Sequence, residues 1–180
     1  MEMQQLGCMS GMMLRDVEEH CPALEQLKKE HIPLTKQMED FYELTQSIEG
    51  DEAVATRESL QQLYQQVKVF VSQLEPHSER EEGILFPMLA AHIGQNMGPI
   101  AVMEYEHDQA KTYLRKFLSE TEELGLKVEL NDIRTLANYA AQAYLILSEH
   151  FMKEENVLFP LAEQFLSPEE KQELEMRIKS

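Results

Sequence analysis

The chain writes one eleven-residue sentence twice. "HSEREEGILFP" at 77–87 and "HFMKEENVLFP" at 150–160 share a first-place His, Glu-Glu at the fifth and sixth places, and a closing Leu-Phe-Pro. Ile84 in the first copy answers to Val157 in the second. The copies stand 73 residues apart (77 to 150), so the fold must have two related halves that each present the same face.

Both halves read as helix. Glycine is sparse at seven residues, proline equals it, and apolar residues recur at three- and four-residue spacing. Leu24, Leu27, Ile32, Leu34, Met38, Phe41 and Leu44 predict a first long helix, bent at Pro33 and capped near Gly50. Leu60 through Leu74 predict a second, running on past His77 toward Leu89. "GQNMGP" (94–99) breaks the pattern, and Pro99 is placed to open a third, which carries Val102 to Leu118. Asn131 or Asp132 is the expected cap of a fourth helix that ends in the second copy of the sentence. Ser167, Pro168 and Glu170 spell the start of a short fifth. The expected fold is all-α: an up-down-up-down four-helix bundle over 21–166 and an extra C-terminal helix over 167–180.

Within that frame the histidines fall into a pattern. His77 and His150 each precede a glutamate by four residues, Glu81 and Glu154. On a helix, that spacing puts both side chains on one face, about 6 Å apart along the axis. A lone His stands on each remaining long helix: His31 in "KEHIPL" and His107 in "YEHDQA", 76 residues apart (31 to 107). Each helix pair thus supplies one lone His and one His-plus-Glu, and the repeat presents both halves of one site to the bundle axis.

Four His and two Glu converging in an apolar bundle call for metal, because a buried carboxylate costs several kcal/mol unless it is paired or coordinated. Imidazole with carboxylate favours iron, manganese or zinc over calcium or magnesium. A carboxylate from each half can bridge two metals, giving each metal two His and a share in both Glu. An oxo or hydroxo bridge would bring each to five ligands and leave a sixth position open. That is a redox-metal arrangement, with two iron ions as the leading occupants.

The order His31, His77-x-x-x-Glu81, His107, His150-x-x-x-Glu154 resembles the hemerythrin-like family of HHE cation-binding domains, over roughly residues 20–165. The resemblance implies a carboxylate-bridged, non-haem di-iron centre that meets oxygen, nitric oxide or peroxide, for sensing, scavenging or storage. It also implies two rival roles, iron-centre repair with iron donation, and a di-iron oxidase or peroxidase. Oxygen-carrying members place a fifth His four residues after the one on helix three, where this chain has Lys111. The four-His, two-Glu set is similar to bacterial proteins of nitrosative-stress response and iron-centre repair, which carry a cysteine-bearing N-terminal domain.

Bulk properties narrow the partners. A chain of 180 residues with 43% hydrophobic residues is long enough for one domain with a real core. Its formal net charge of −17 argues against nucleic acid and anionic membrane surfaces. No run approaches a membrane span, and residues 1–20 read as a flexible leader without an export signal. With only Cys8 and Cys21, a reducing cytoplasm is expected. Oligomeric state is left open.

The remaining polar residues receive blander readings. His20 and His92 lack a partner at i+4 and are expected to be bystanders. Glu30, Glu106 and Glu149 immediately precede a proposed ligand and point about 100° away from it, which predicts solvated positions. Glu82 and Glu155 are expected at the surface, Leu85, Phe86, Leu158 and Phe159 in the core, and Tyr105, Tyr113 and Tyr144 in the core or at its rim.

Overall fold

The computed structural model describes residues 20–96, 98–124 and 128–180, so Cys8 and the expected leader short of His20 lie outside the described residues. Among the described residues there are helices and turns and no strand.

Helix α1 (Pro22–Gly50) runs through Pro33 without interruption. Its C-cap is Asp51 rather than Gly50, with the Asp51 N–H on the Ser47 carbonyl at 3.1 Å. Asp51 leaves in an extended conformation (φ −137°) that any residue adopts, so no glycine is needed there. Helix α2 (Arg57–Arg80) opens on a capping box in which the Thr56 hydroxyl accepts from the Ser59 N–H and the Ser59 hydroxyl accepts from the Thr56 N–H.

At Glu81 the α pattern gives way to a single π turn (Glu81–Leu85), closed by the Phe86 N–H on the Glu81 carbonyl, before α3 (Phe86–Ile93). The second half repeats this: α4 (Pro99–Glu123), α5 (Leu130–Lys153), a π turn (Glu154–Leu158) closed by Phe159 on Glu154, and α6 (Phe159–Phe165). The two prolines of the repeat follow these turns. Pro87 and Pro160 lack the N–H that would bond the carbonyl four residues back, so each π turn stands where the α ladder has lost a bond. In the first copy the freed Gly83 carbonyl accepts instead from the Arg177 guanidinium at 3.4 Å.

Between α3 and α4 the chain turns through Gly94 and Gly98, both left-handed (φ 87° and 89°), where a Cβ would be strained. Pro99 opens α4 as expected. Neither expected cap of α5 holds: Glu129 is the N-cap, and Asp132, three residues on, accepts from the Glu129 N–H at 3.1 Å. Helix α7 (Pro168–Lys179) has the expected box, with the Ser167 hydroxyl accepting from the Glu170 N–H and the Glu170 carboxylate from the Ser167 N–H.

The long helices pack α1 on α2, α2 on α4, α4 on α5 and α5 on α1, while α7 lies against α1 and the first π turn. Their apolar stripes form two blocks. One takes Leu34 to Ile48 of α1, Leu60 to Leu74 of α2, Ala110 to Phe117 of α4 and Ile133 to Phe151 of α5. The other takes Ala23 to Leu27, Leu85 to Leu89, Ile100 and Met103, and Leu158 to Leu166, with Leu174 and Ile178 of α7 over it. On every long helix a histidine stands where one block ends and the other begins.

Candidate metal centre

In that seam the structure brings together all six residues nominated from the sequence. His31 comes from α1, His77 from α2, His107 from α4 and His150 from α5, and Glu81 and Glu154 open the two π turns. All six are buried, Glu81, His150 and Glu154 completely. They form two groups, His31–His77–Glu81–Glu154 and His107–His150–Glu81–Glu154, and within each the ligand atoms lie within 4.8 Å of one another. Both glutamates belong to both groups.

The carboxylate oxygens divide accordingly. Glu81 turns Oε1 to His77 Nε2 at 3.3 Å and Oε2 to His107 Nε2 at 3.6 Å. Glu154 turns Oε1 to His150 Nε2 at 3.0 Å and Oε2 to His31 Nε2 at 3.3 Å. Each carboxylate therefore spans the two halves. None of the four oxygens has a hydrogen-bond partner of good geometry, although all are buried.

The outer nitrogens are satisfied by four further glutamates, which correct the sequence reading. His77 Nδ1–H donates to Glu30 at 2.9 Å, His107 Nδ1–H to Glu82 at 2.5 Å, His150 Nδ1–H to Glu106 at 3.1 Å and His31 Nδ1–H to Glu155 at 2.8 Å. The bonds run as a ring: α1 serves α2, the π turn after α2 serves α4, α4 serves α5, and the π turn after α5 serves α1. Glu30 and Glu106 do point away from the histidines that follow them, but each points at a histidine on the neighbouring helix. Three of the four are held in turn by a cation: Arg80 on Glu30 at 2.6 Å, Lys111 on Glu82 and Lys153 on Glu106. Among the described residues Glu155 has no Lys or Arg within ion-pair distance.

These contacts fix protonation. Burial would raise the Glu30 carboxyl, but hydrogen bonds from His77 and Arg80 hold it at about 2. The hydrogen bond from His107, with Lys111 behind it, brings Glu82 to about 2 against the effect of burial. An ionised carboxylate only accepts, so Nδ1 carries the imidazole proton and the Nε2 lone pair faces inward. Nε2 of His31 and His77 stand 3.2 Å apart, and those of His107 and His150 only 2.7 Å. Lone pairs and carboxylate oxygens facing one another need positive charge between them. Without a cation, protons take that place. Burial and the Glu154 charge raise Glu81 to about 8. Burial disfavours charge on His150, yet the Glu154 carboxylate 3.0 Å away and the hydrogen bond to Glu106 push it up to about 10. A buried, donor-free set of imidazole nitrogens and carboxylate oxygens fits divalent metal, and among the described residues no thiolate joins it.

The bystanders sit elsewhere. His20 lies edge-on to Phe159, and His92 pairs with Glu170 at 2.9 Å. Lys111, where oxygen carriers have a further His, turns to Glu82. Glu149 is exposed beside Lys153, as expected. Tyr144 stacks on Tyr42 and Tyr113 packs near Tyr139, while Tyr105 is exposed.

Comparison with known proteins agrees with this geometry. Iron-sulfur cluster repair protein YtfE of Musicola paradisiaca (strain Ech703) is 38% identical over 99 residues, which are 54% of this chain and 45% of that protein. YtfE of Escherichia coli O1:K1 / APEC is 39% identical over 92 residues, 50% of this chain and 42% of its own. The matched stretch thus spans less than half the length of these curated relatives. No solved structure matches. The profile of the hemerythrin HHE cation-binding domain matches residues 23–162, which takes in every one of the six buried donors and most of the chain. On that extent of match, the chain belongs to the hemerythrin HHE cation-binding domain family.

Proposed function

We propose that the chain is a non-haem di-iron protein whose main act is to bind a small ligand (oxygen, nitric oxide or peroxide) at a carboxylate-bridged metal pair. His31 and His77 hold one ion, His107 and His150 the other, and Glu81 and Glu154 bridge them. The carrying observation is the split of each buried carboxylate between the two histidine pairs. The neighbour pairs of the long helices support the up-down-up-down bundle that such a centre needs. A bridged iron pair supplies electrons and open coordination positions to a small oxidant. The protein's part is to aim four Nε2 lone pairs inward through the Glu30, Glu82, Glu106 and Glu155 ring, and to keep water out with Phe86, Phe151 and Phe159.

Iron donation in repair of iron–sulfur centres is the second reading, favoured by the printed function of the relatives. The two readings differ in how firmly metal is held. The test is anaerobic loading with ferrous iron, then stopped-flow spectra on adding oxygen or nitric oxide, beside the rate of iron loss to a mild chelator. Ligand-dependent bands with slow iron loss support ligand binding. Rapid loss to the chelator with no ligand-dependent bands would replace it with donation. No helix among the described residues is long and apolar enough to cross a membrane. The proposed setting is the cytoplasm, and the net charge of −17 supports a partner set without nucleic acid or anionic membrane.

A further inference from the structure

The repeat breaks its own symmetry one residue past each paired histidine. Ser78 follows His77, and Phe151 follows His150. Phe151 stacks on His31, centroids 4.1 Å apart and planes 10° from parallel, and Phe159 lies near-parallel to the same imidazole at 5.7 Å. In the other half Phe86 takes the place of Phe159, 5.5 Å from His107, while the residue that answers to Phe151 in the repeat is the small, buried Ser78. One imidazole has two aromatic neighbours and its twin has one.

Above Ser78 the surface is hollow. A cavity of about 200 Å³ opens between α2 and α4, walled by Val71, Leu74, Lys111, Leu114 and Leu118, with Ser78 in its lining. The mirrored depression, between α1 and α5, has the Phe151 ring in its wall, so the ring stands between that depression and His31. The charges differ as well. The Ser78 cavity has Lys111, itself paired to Glu82, and Arg115 beside Glu75 and Glu79, whereas the Phe151 depression has Glu39 and Glu155 and no cation in its lining. On a chain of net charge −17, an anion meets less repulsion at the mouth that carries cations than at the one that carries none.

We propose that small ligands of two or three atoms, uncharged or anionic, reach the metal pair from one side only, through the cavity over Ser78, and meet the ion held by His107 and His150. The inference rests on the metal reading above and adds to it which of two otherwise equal ions is accessible. Lys111 flanks the path and Ser78 is its gate. Phe151 closes the symmetric route.

The test uses azide on the full-length, oxidised, iron-loaded chain, with iron counted for every variant. The parent should bind one azide per iron pair. Ser78→Phe should keep two irons and slow azide binding by about tenfold or more, and Ser78→Val should fall between it and the parent. Phe151→Ser should speed binding and raise the count above one per pair. Circular dichroism checks that each variant is folded, and Ser78→Val stands in if the phenylalanine variant is not. Folded position-78 variants that hold two irons and bind azide at the parent's rate overturn the gate while leaving the metal pair intact. A parent that fails to hold two irons overturns the metal reading, and the gate with it.

Discussion

Glu82 and Glu155 each follow by one residue a buried glutamate shared by both donor groups, and that one residue separates two jobs. The first glutamate of each pair enters the centre, while the second reaches sideways to an imidazole of the other half. The sequence made the six inward residues legible, because paired spacing on a helix and a duplicated motif are both visible in one dimension. It hid the outer four, because their partners lie on neighbouring helices and spacing along a helix says nothing of them. A signal was present all the same: "EH" at 30–31 recurs at 106–107, and "EE" at 81–82 at 154–155. Removing such a carboxylate frees the imidazole to turn. Glu82→Ala should therefore weaken iron binding by roughly 10- to 100-fold, while exposed Glu149→Ala should not, as read by chelator competition. The bridge has its own signature. Glu154→Ala should loosen both irons, whereas His150→Ala should cost mainly one. A Glu154→Ala protein with two firmly held irons would remove Glu154 from the bridge.

Helix ends and helix interiors were unequally legible. Ser167–Pro168 and the Pro99 start carry their own local chemistry, and the structure places both as expected. The caps of α1 and α5 slipped because Gly50 and Asp132 have alternatives within a residue or three. The π turns were missed altogether, since apolar periodicity continues through them and a proline alone is no signal: Pro33 and Pro76 lie inside unbroken α-helix, whereas Pro87 and Pro160 follow π turns. Helix α7 supplies none of the six, so its loss of a cap should register in stability alone. Ser167→Ala should cost about 1 kcal/mol and lower the melting temperature, with iron content unchanged. A fall in iron content in that variant would show that α7 supports the centre through the Arg177 contact with the first π turn.

Across the molecule, two apolar blocks meet at a polar layer that protons can fill poorly and metal can fill well. In the metal-free protein Glu81 and His150 have folded pKa values above their ordinary ones, at about 8 and about 10. Groups raised in this way stabilise the fold fully below their unfolded values, and that contribution is lost as pH rises through the folded ones. Burial would raise Glu154, but the charges of His150 and His31 beside it hold it below its ordinary value, so its contribution is already complete in this range. The metal-free protein should thus melt progressively earlier between about pH 4.5 and 10, as first Glu81 and then His150 lose their contributions, while the iron-loaded protein, its ligands already deprotonated, should not. Parallel melting curves for the two forms would contradict this.

The central claim is that one seam in this chain holds two metals and not one. Six donors with both carboxylates shared exceed what a single tetrahedral ion can use. Metal analysis of the protein, produced with iron supplied, measures this directly. Two irons per chain is the predicted result. A single firmly bound zinc, unmoved by added iron, would contradict it.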